Sequence, residues 1–84
     1  MIKVLLFARL ADLARVRDAS FDCPGEGVRL DDLVKRVVVR YPALQTSLAQ
    51  PRLLFLAINQ KQTGLDAQVK DGDEVAIMPP FSGG

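Results

Sequence analysis

The sequence has no histidine, no tryptophan and only one cysteine, Cys23. Without histidine the chain lacks the side chain most used as a general base near neutral pH, and also the commonest metal ligand. A single thiol cannot close an internal disulfide and falls far short of the ligand set of a structural zinc site or an iron–sulfur cluster. A self-contained hydrolase or metalloenzyme is therefore not expected. An excess of one charge is missing too: eleven Lys and Arg face ten Asp and Glu, a formal net charge of +1, and like charges do not run together in blocks. Phosphate binding normally shows a basic stripe with stacking aromatics, so a nucleic-acid partner is not expected. Nor is there a long hydrophobic run. The longest, Leu53 to Ile58, is far below the roughly 18 to 20 residues of a membrane span. The opening Met1-Ile2-Lys3 lacks a signal-peptide pattern, which leaves a cytoplasmic location as the expectation.

What is present is ordinary for a folded domain: 49% hydrophobic and 25% charged residues in a chain of 84. A chain of this size forms one domain and buries about 60 to 65% of its unfolded surface. Residues 2–8 alternate as a first strand, with Ile2, Val4 and Leu6 on one face and Lys3, Leu5 and Phe7 on the other. Leu10, Leu13 and Ala14 have helical spacing over residues 9–15, and residues 18–23 return to extended structure with Ala19, Phe21 and Cys23 inward. After the turn cluster Pro24-Gly25-Glu26-Gly27 comes the main helix, with Leu30, Leu33, Val34, Val37, Val38 and Tyr41 on one stripe. Asp31 and Asp32 suit the positive end of its dipole, and Pro42 ends it. Arg29 stands where a Ser or Thr cap is expected, so the start should be weak.

Residues 52–58 read as a third strand, Asn59-Gln60 as a turn into a short edge strand, and Asp71-Gly72-Asp73 as a tight turn. Residues 74–78 form the last strand, with Val75 and Ile77 on one side and Glu74, Ala76 and Met78 on the other. This order predicts an α+β roll, a mixed sheet with one main helix packed across one face. The first and last strands should lie parallel near the middle, the arrangement called a β-grasp. The helix should cover the Ile2, Val4, Leu6, Val75 and Ile77 face, because Lys3 and Glu74 share the other. That leaves Leu5, Phe7, Ala76 and Met78 as an apolar patch rimmed by charge, a candidate docking surface for partners. Cys23, Phe21 and Phe55 are expected in the core. Asp71, Asp73 and Glu74 are expected to form a solvated turn, with too few ligands for a cation.

The feature with the most chemical content is Pro79-Pro80-Phe81-Ser82-Gly83-Gly84. Two prolines end the strand and project the chain beyond it, and glycines without Cβ atoms can enter a channel too narrow for other residues. A carboxylate at Gly84 is ionised near pH 7 and is a poor acyl donor, so its chemistry needs activation from outside. The chain has no GxxxxGK[ST] loop that could hold ATP. Activation is therefore expected from a partner.

The chain resembles the ubiquitin-like sulfur-carrier family, and within it the small subunits of molybdopterin synthases. The resemblance rests on Ile2-Lys3-Val4-Leu5-Leu6-Phe7-Ala8, on Leu56-Ala57-Ile58-Asn59-Gln60, on Asp71-Gly72-Asp73-Glu74-Val75-Ala76 and on the Pro79 to Gly84 ending. It implies that an adenylating enzyme resembling ubiquitin-activating enzymes uses ATP to activate Gly84, which is then thiocarboxylated. It further implies that a large catalytic synthase subunit receives Pro79, Pro80, Phe81, Ser82 and Gly83 in its pocket, within a heterotetramer. The sulfur would pass to a pyranopterin precursor. No cofactor or metal bound by this chain is implied. The same ending also suits a carrier for thiamin or tRNA thiolation, a protein modifier that forms isopeptide bonds, or an interaction module with an inert tail.

Overall fold

The computed structural model describes residues 1–80; Phe81, Ser82, Gly83 and Gly84 lie outside the described residues. Strand β1 (Ile2–Leu6) is followed by a short helix α1 (Arg9–Ala14), β2 (Asp18–Phe21), a two-residue β3 (Val28–Arg29) and the main helix α2 (Leu30–Arg40). After two 3-10 turns at Pro42–Leu44 and Pro51–Leu53 come β4 (Phe55–Ile58), β5 (Lys61–Gln62), β6 (Gln68–Val69) and β7 (Glu74–Met78). The main sheet has five strands in the order β2-β1-β7-β4-β5, and β3 and β6 make a separate two-stranded ribbon. Strands β1 and β7 are parallel, with Val4 beside Val75 and Leu6 beside Ile77, while β2 and β4 pair antiparallel to them. This is the β-grasp roll that the element order predicts, with β1 and β7 at its centre.

The phase of the strands decides the core. Ile2, Val4, Leu6, Val75 and Ile77 point at α2 and are buried, and Leu30, Leu33, Val34 and Val37 meet them from the helix. Leu10, Leu44, Leu48, Leu54 and Leu56 close the ends of this core, and Phe21 is buried as expected. Burying a side chain of this size stabilises by about 1.5 to 3 kcal/mol relative to leaving it in water. Arg40 fastens α2 to the β2 edge: its Nη1 donates to the Ser20 carbonyl at 2.6 Å and its guanidinium lies 3.9 Å from the Phe21 ring centroid.

The weak helix start foreseen from Arg29 is made good by the backbone. Arg29 does sit at the cap position without a side-chain cap, but the first amides are taken by a distant loop. Leu30 N donates to the Ala67 carbonyl at 2.9 Å and Asp31 N to the Leu65 carbonyl at 3.1 Å, which satisfies donors that a Ser or Thr would otherwise serve. Arg29 instead reaches Asp31 through Nε and Nη2 at 3.2 and 3.1 Å. Those hydrogen bonds hold the Asp31 carboxyl below the usual carboxylate range.

Several expectations need correction. Strand β1 stops at Leu6, two residues short of Ala8, because Ala8 takes φ 52 and ψ −128 in a turn closed by Leu10 N to the Phe7 carbonyl at 3.1 Å. Strand β2 ends at Phe21, so Cys23 lies beyond the strand, half-buried, with Sγ 3.4 Å from the Pro24 carbonyl. Strand β4 begins at Phe55, since Pro51 starts a 3-10 turn over the residues before it. Phe55 is not in the core: its neighbours Leu54 and Leu56 are buried, so alternation turns Phe55 to the outer face, where it is 38% exposed.

Candidate functional site

The outer face of the sheet can be built from its register, because residues paired across strands share a face. Leu5 lies beside Ala76, and Ala76 beside Ala57; Met78 lies opposite Phe55. Phe7 continues the β1 line just past the strand, where its amide still donates to the Ile77 carbonyl at 3.3 Å. It is 43% exposed, the hallmark of a large ring on a face that the core does not use. The four expected residues, Leu5, Phe7, Ala76 and Met78, are thus brought together on one surface. Phe55 extends the same patch across β4, and Ala57, on the same face, is buried between its neighbours. At its lower edge Lys3 pairs with Glu74, which sets a charged border opposite the end where Pro79 and Pro80 leave the sheet.

The apolar run hid Phe55 from sequence reasoning. Leu53 to Ile58 contains six apolar residues in a row, so nothing in it marks which positions face inward. The strand register shows the phase that the sequence hides. Ile58 pairs with Val75, and counting back from that buried partner places Leu56 and Leu54 inside and Phe55 outside.

The charged turns hold the frame. Asn59 and Gln60 take φ 51 and 70, the left-handed pair that a two-residue hairpin between β4 and β5 requires. Asn59 then ties this hairpin to the start of β7: its Nδ2 donates to Asp73 Oδ1 at 3.0 Å, and its Oδ1 accepts from Glu74 N at 3.0 Å. Asp73 Oδ2 accepts from Lys70 N at 2.8 Å. Its carboxylate oxygens are therefore engaged in the turn, in keeping with the solvated-turn expectation. Among the described residues no group of three or more His, Cys, Asp or Glu is placed to hold a metal ion. No helix among them is long and apolar enough to cross a membrane.

Pro79 and Pro80 mark the root of the tail. They follow β7, which is paired on both sides, and neither has an amide hydrogen with which to continue a ladder. A cleft of about 460 Å³ opens beside them, lined by Arg9, Leu10, Thr46, Ser47, Pro79 and Pro80. Phe81, Ser82, Gly83 and Gly84, the remaining expected site residues, lie outside the described residues. The surface therefore offers an apolar face on the sheet and, at the end where Pro79 and Pro80 leave it, a cleft that carries one guanidinium and two hydroxyls.

Comparison with known proteins gives consistent results. The sequence pattern of the ThiS family matches residues 4–84. A "Molybdopterin synthase sulfur carrier subunit" from Chlamydomonas reinhardtii is 38% identical over 85 residues, covering 99% of this chain and 98% of that protein. Among solved structures, the small archaeal modifier protein 1 of H. volcanii superposes with a TM-score of 0.83 at 26% identity, over 95% of this chain and 97% of that one. A chain from the complex of subunits 1 and 2 of the molybdopterin-converting factor of Helicobacter pylori 26695 shares the fold, with a TM-score of 0.64 at 20% identity over 99% of this chain and 97% of that one.

Proposed function

The chain belongs to the ThiS family, and on that premise we propose that it is the sulfur carrier of a molybdopterin synthase. The observation that carries this reading is the match, along 99% of the chain, to a relative with that name. The apolar face of Leu5, Phe7, Phe55, Ala76 and Met78 beside the tail root gives it a physical basis, since a carrier must be gripped while its end is presented elsewhere.

In this reading Gly84 supplies the reacting carboxylate. An adenylating partner binds ATP; a carboxylate oxygen attacks the α-phosphorus and pyrophosphate leaves, giving an acyl adenylate. A donor of sulfide-level sulfur then attacks the acyl carbon, and AMP leaves to give a thiocarboxylate. The large catalytic subunit takes in Pro79, Pro80, Phe81, Ser82 and Gly83; the terminal sulfur attacks an oxygen-bearing carbon of the pyranopterin precursor and displaces that oxygen, and water then cleaves the acyl–sulfur bond, which returns the Gly84 carboxylate and leaves the sulfur on the precursor. The acid–base groups and the pterin contacts belong to that subunit, in a cytoplasmic heterotetramer. The docking of Leu5, Phe7, Ala76 and Met78 serves both partners in turn.

The intact mass of protein from its native host tests this. A fraction heavier by the difference between sulfur and oxygen at the C-terminal residue is expected. Cofactor synthesis that survives deletion of Gly84 would rule the carrier reading out. A second reading, a protein modifier, is favoured by the likeness to the archaeal modifier protein. It would appear in the same measurement as this chain joined to larger proteins through lysine.

A further inference from the structure

We infer that Arg9, with the hydroxyls of Thr46 and Ser47, forms a receptor for a carboxylate side chain on the rim of the large-subunit pocket that takes the tail. This rests on the sulfur-carrier reading and adds to it a second, polar grip on the other side of the tail root.

The composition of the cleft is the first support. Its lining of Arg9, Leu10, Thr46, Ser47, Pro79 and Pro80 holds one guanidinium and two hydroxyls, and no acid. A guanidinium offers five donors and no acceptor, and hydroxyls turn to suit, so these three side chains can meet an anion above the apolar lining of Leu10, Pro79 and Pro80.

The second support is that, among the described residues, the Arg9 guanidinium is left open to a ligand, as are those of Arg15, Arg17 and Arg52, which do not line this cleft. Among the described residues Arg29 is paired with Asp31, Arg36 donates to the Asp22 carbonyl and Arg40 to the Ser20 carbonyl. Arg9 has no such hydrogen bond or ion pair among them. Asp12, one helical turn along α1, lines a different cleft with Phe7 and Arg17 and forms no ion pair with it. The backbone also brings Arg9 to its place at a cost. Ala8 holds φ 52, a conformation an alanine adopts only with strain, and the turn it makes carries Arg9 back toward Pro79 and Pro80.

The position of the cleft selects the kind of anion. Met78 faces the apolar patch, and Pro79 and Pro80 line the cleft on the opposite side, so a pocket that swallows the tail would touch both. Four residues separate Pro80 from the end of the chain, which at full extension is about 13 Å. A phosphate or precursor at the reacting end of a threaded tail is thus too distant to fill the cleft. The rim of the channel is at the right height, and a carboxylate there would meet Arg9 in a two-pronged contact.

Calorimetric titration of the full chain into the purified large subunit from the same source tests this, with Arg9→Ala, Arg9→Lys, Arg9→Glu and Thr46→Val compared at several salt concentrations. Arg9→Ala should weaken binding about tenfold and flatten the dependence of Kd on salt, Arg9→Glu should weaken it about a hundredfold or more, and Arg9→Lys should fall between wild type and Arg9→Ala. Melting temperatures should not change, because Arg9 is exposed. Wild-type affinity for Arg9→Glu at low salt, beside a clear loss for Phe7→Asp, overturns the inference and leaves the carrier reading standing. Loss confined to activation by the adenylating partner overturns the assignment to the large subunit. Failure of the wild-type chain to bind at all overturns both.

Discussion

Phe7 provides the sharpest test of the docking face. A phenylalanine side chain buries on the order of 200 Å² when fully covered, and Phe7 in the free protein is 43% exposed, which leaves about 85 Å² for a partner to cover. At about 25 cal/mol per Å² that area is worth about 2 kcal/mol, or roughly a 30-fold change in Kd. Phe7→Ala should therefore weaken binding to the large subunit by about that factor. Phe7→Asp should weaken it further, since an unpaired carboxylate buried against Leu5 and Met78 adds a desolvation cost of several kcal/mol. Neither change should disturb the fold by more than about 1 kcal/mol, because Phe7 stands outside the core cluster. Val39 serves as the control: it is 80% exposed on α2, which packs on the other side of the sheet, and Val39→Asp should bind as wild type. Calorimetry measures the affinities and urea unfolding the stabilities. A Kd for Phe7→Asp within threefold of wild type would refute the reading, as would an equal loss for Val39→Asp.

Three further outcomes follow from the frame. Gly27→Ala should cost about 2 to 3 kcal/mol in urea unfolding, because Gly27 has φ 87 and a Cβ there would lie 2.6 Å from the Val69 carbonyl oxygen; a cost under 0.5 kcal/mol would be incompatible with that geometry. Gln60→Gly should stabilise by about 1 kcal/mol, since Gln60 sits at φ 70 in the β4–β5 turn where glycine is free of strain. Thermal unfolding should show this as a rise of roughly 4 to 8 °C in Tm. Asp31 is held below the usual carboxylate range by hydrogen bonds from Arg29, so its contribution is complete above the unfolded value of about 3.9 and is lost as pH falls through the lower folded value. Unfolding midpoints of wild type and Arg29→Met should therefore converge on acidification below about pH 4; a gap that stays constant would contradict the assignment.

The parts legible in the sequence were those with a period. Alternation in Ile2, Val4 and Leu6 and in Val75 and Ile77, and the helical stripe from Leu30 to Val37, marked both the core and the direction in which the outer face would look. The Asp71-Gly72-Asp73 turn was legible through its residue types. What stayed hidden had no period. Strands β3 and β6 are two residues long each, too short to alternate, and they exist because they pair with each other across the chain. The amides of Leu30 and Asp31 are satisfied by carbonyls of residues 67 and 65, which no local capping rule can see. Ala8 carries no mark of a positive φ, so β1 reads two residues too long. Phe55 was lost because a run with no polar residue conceals its own phase.

On the proposed carrier reading, in which Gly84 reacts, the prolines end a strand that is otherwise well held. Strand β7 is bonded on both sides, to β1 and to β4, so the tail leaves from the most constrained part of the sheet. In the register that pairs Met78 with Phe55, the next partners of Pro79 and Pro80 along β4 would be Leu54 and Leu53. Any residue with an amide hydrogen could continue that ladder, and each residue drawn in would shorten the reach of the tail by about 3.3 Å. Proline cannot donate there, and the 3-10 turn at Pro51–Leu53 removes the strand it would pair with. Prolines on two separate segments thus stop one ladder from both sides. A carrier of the proposed kind needs that stop as much as it needs its core, since every residue kept out of the ladder is one more that a partner can take in.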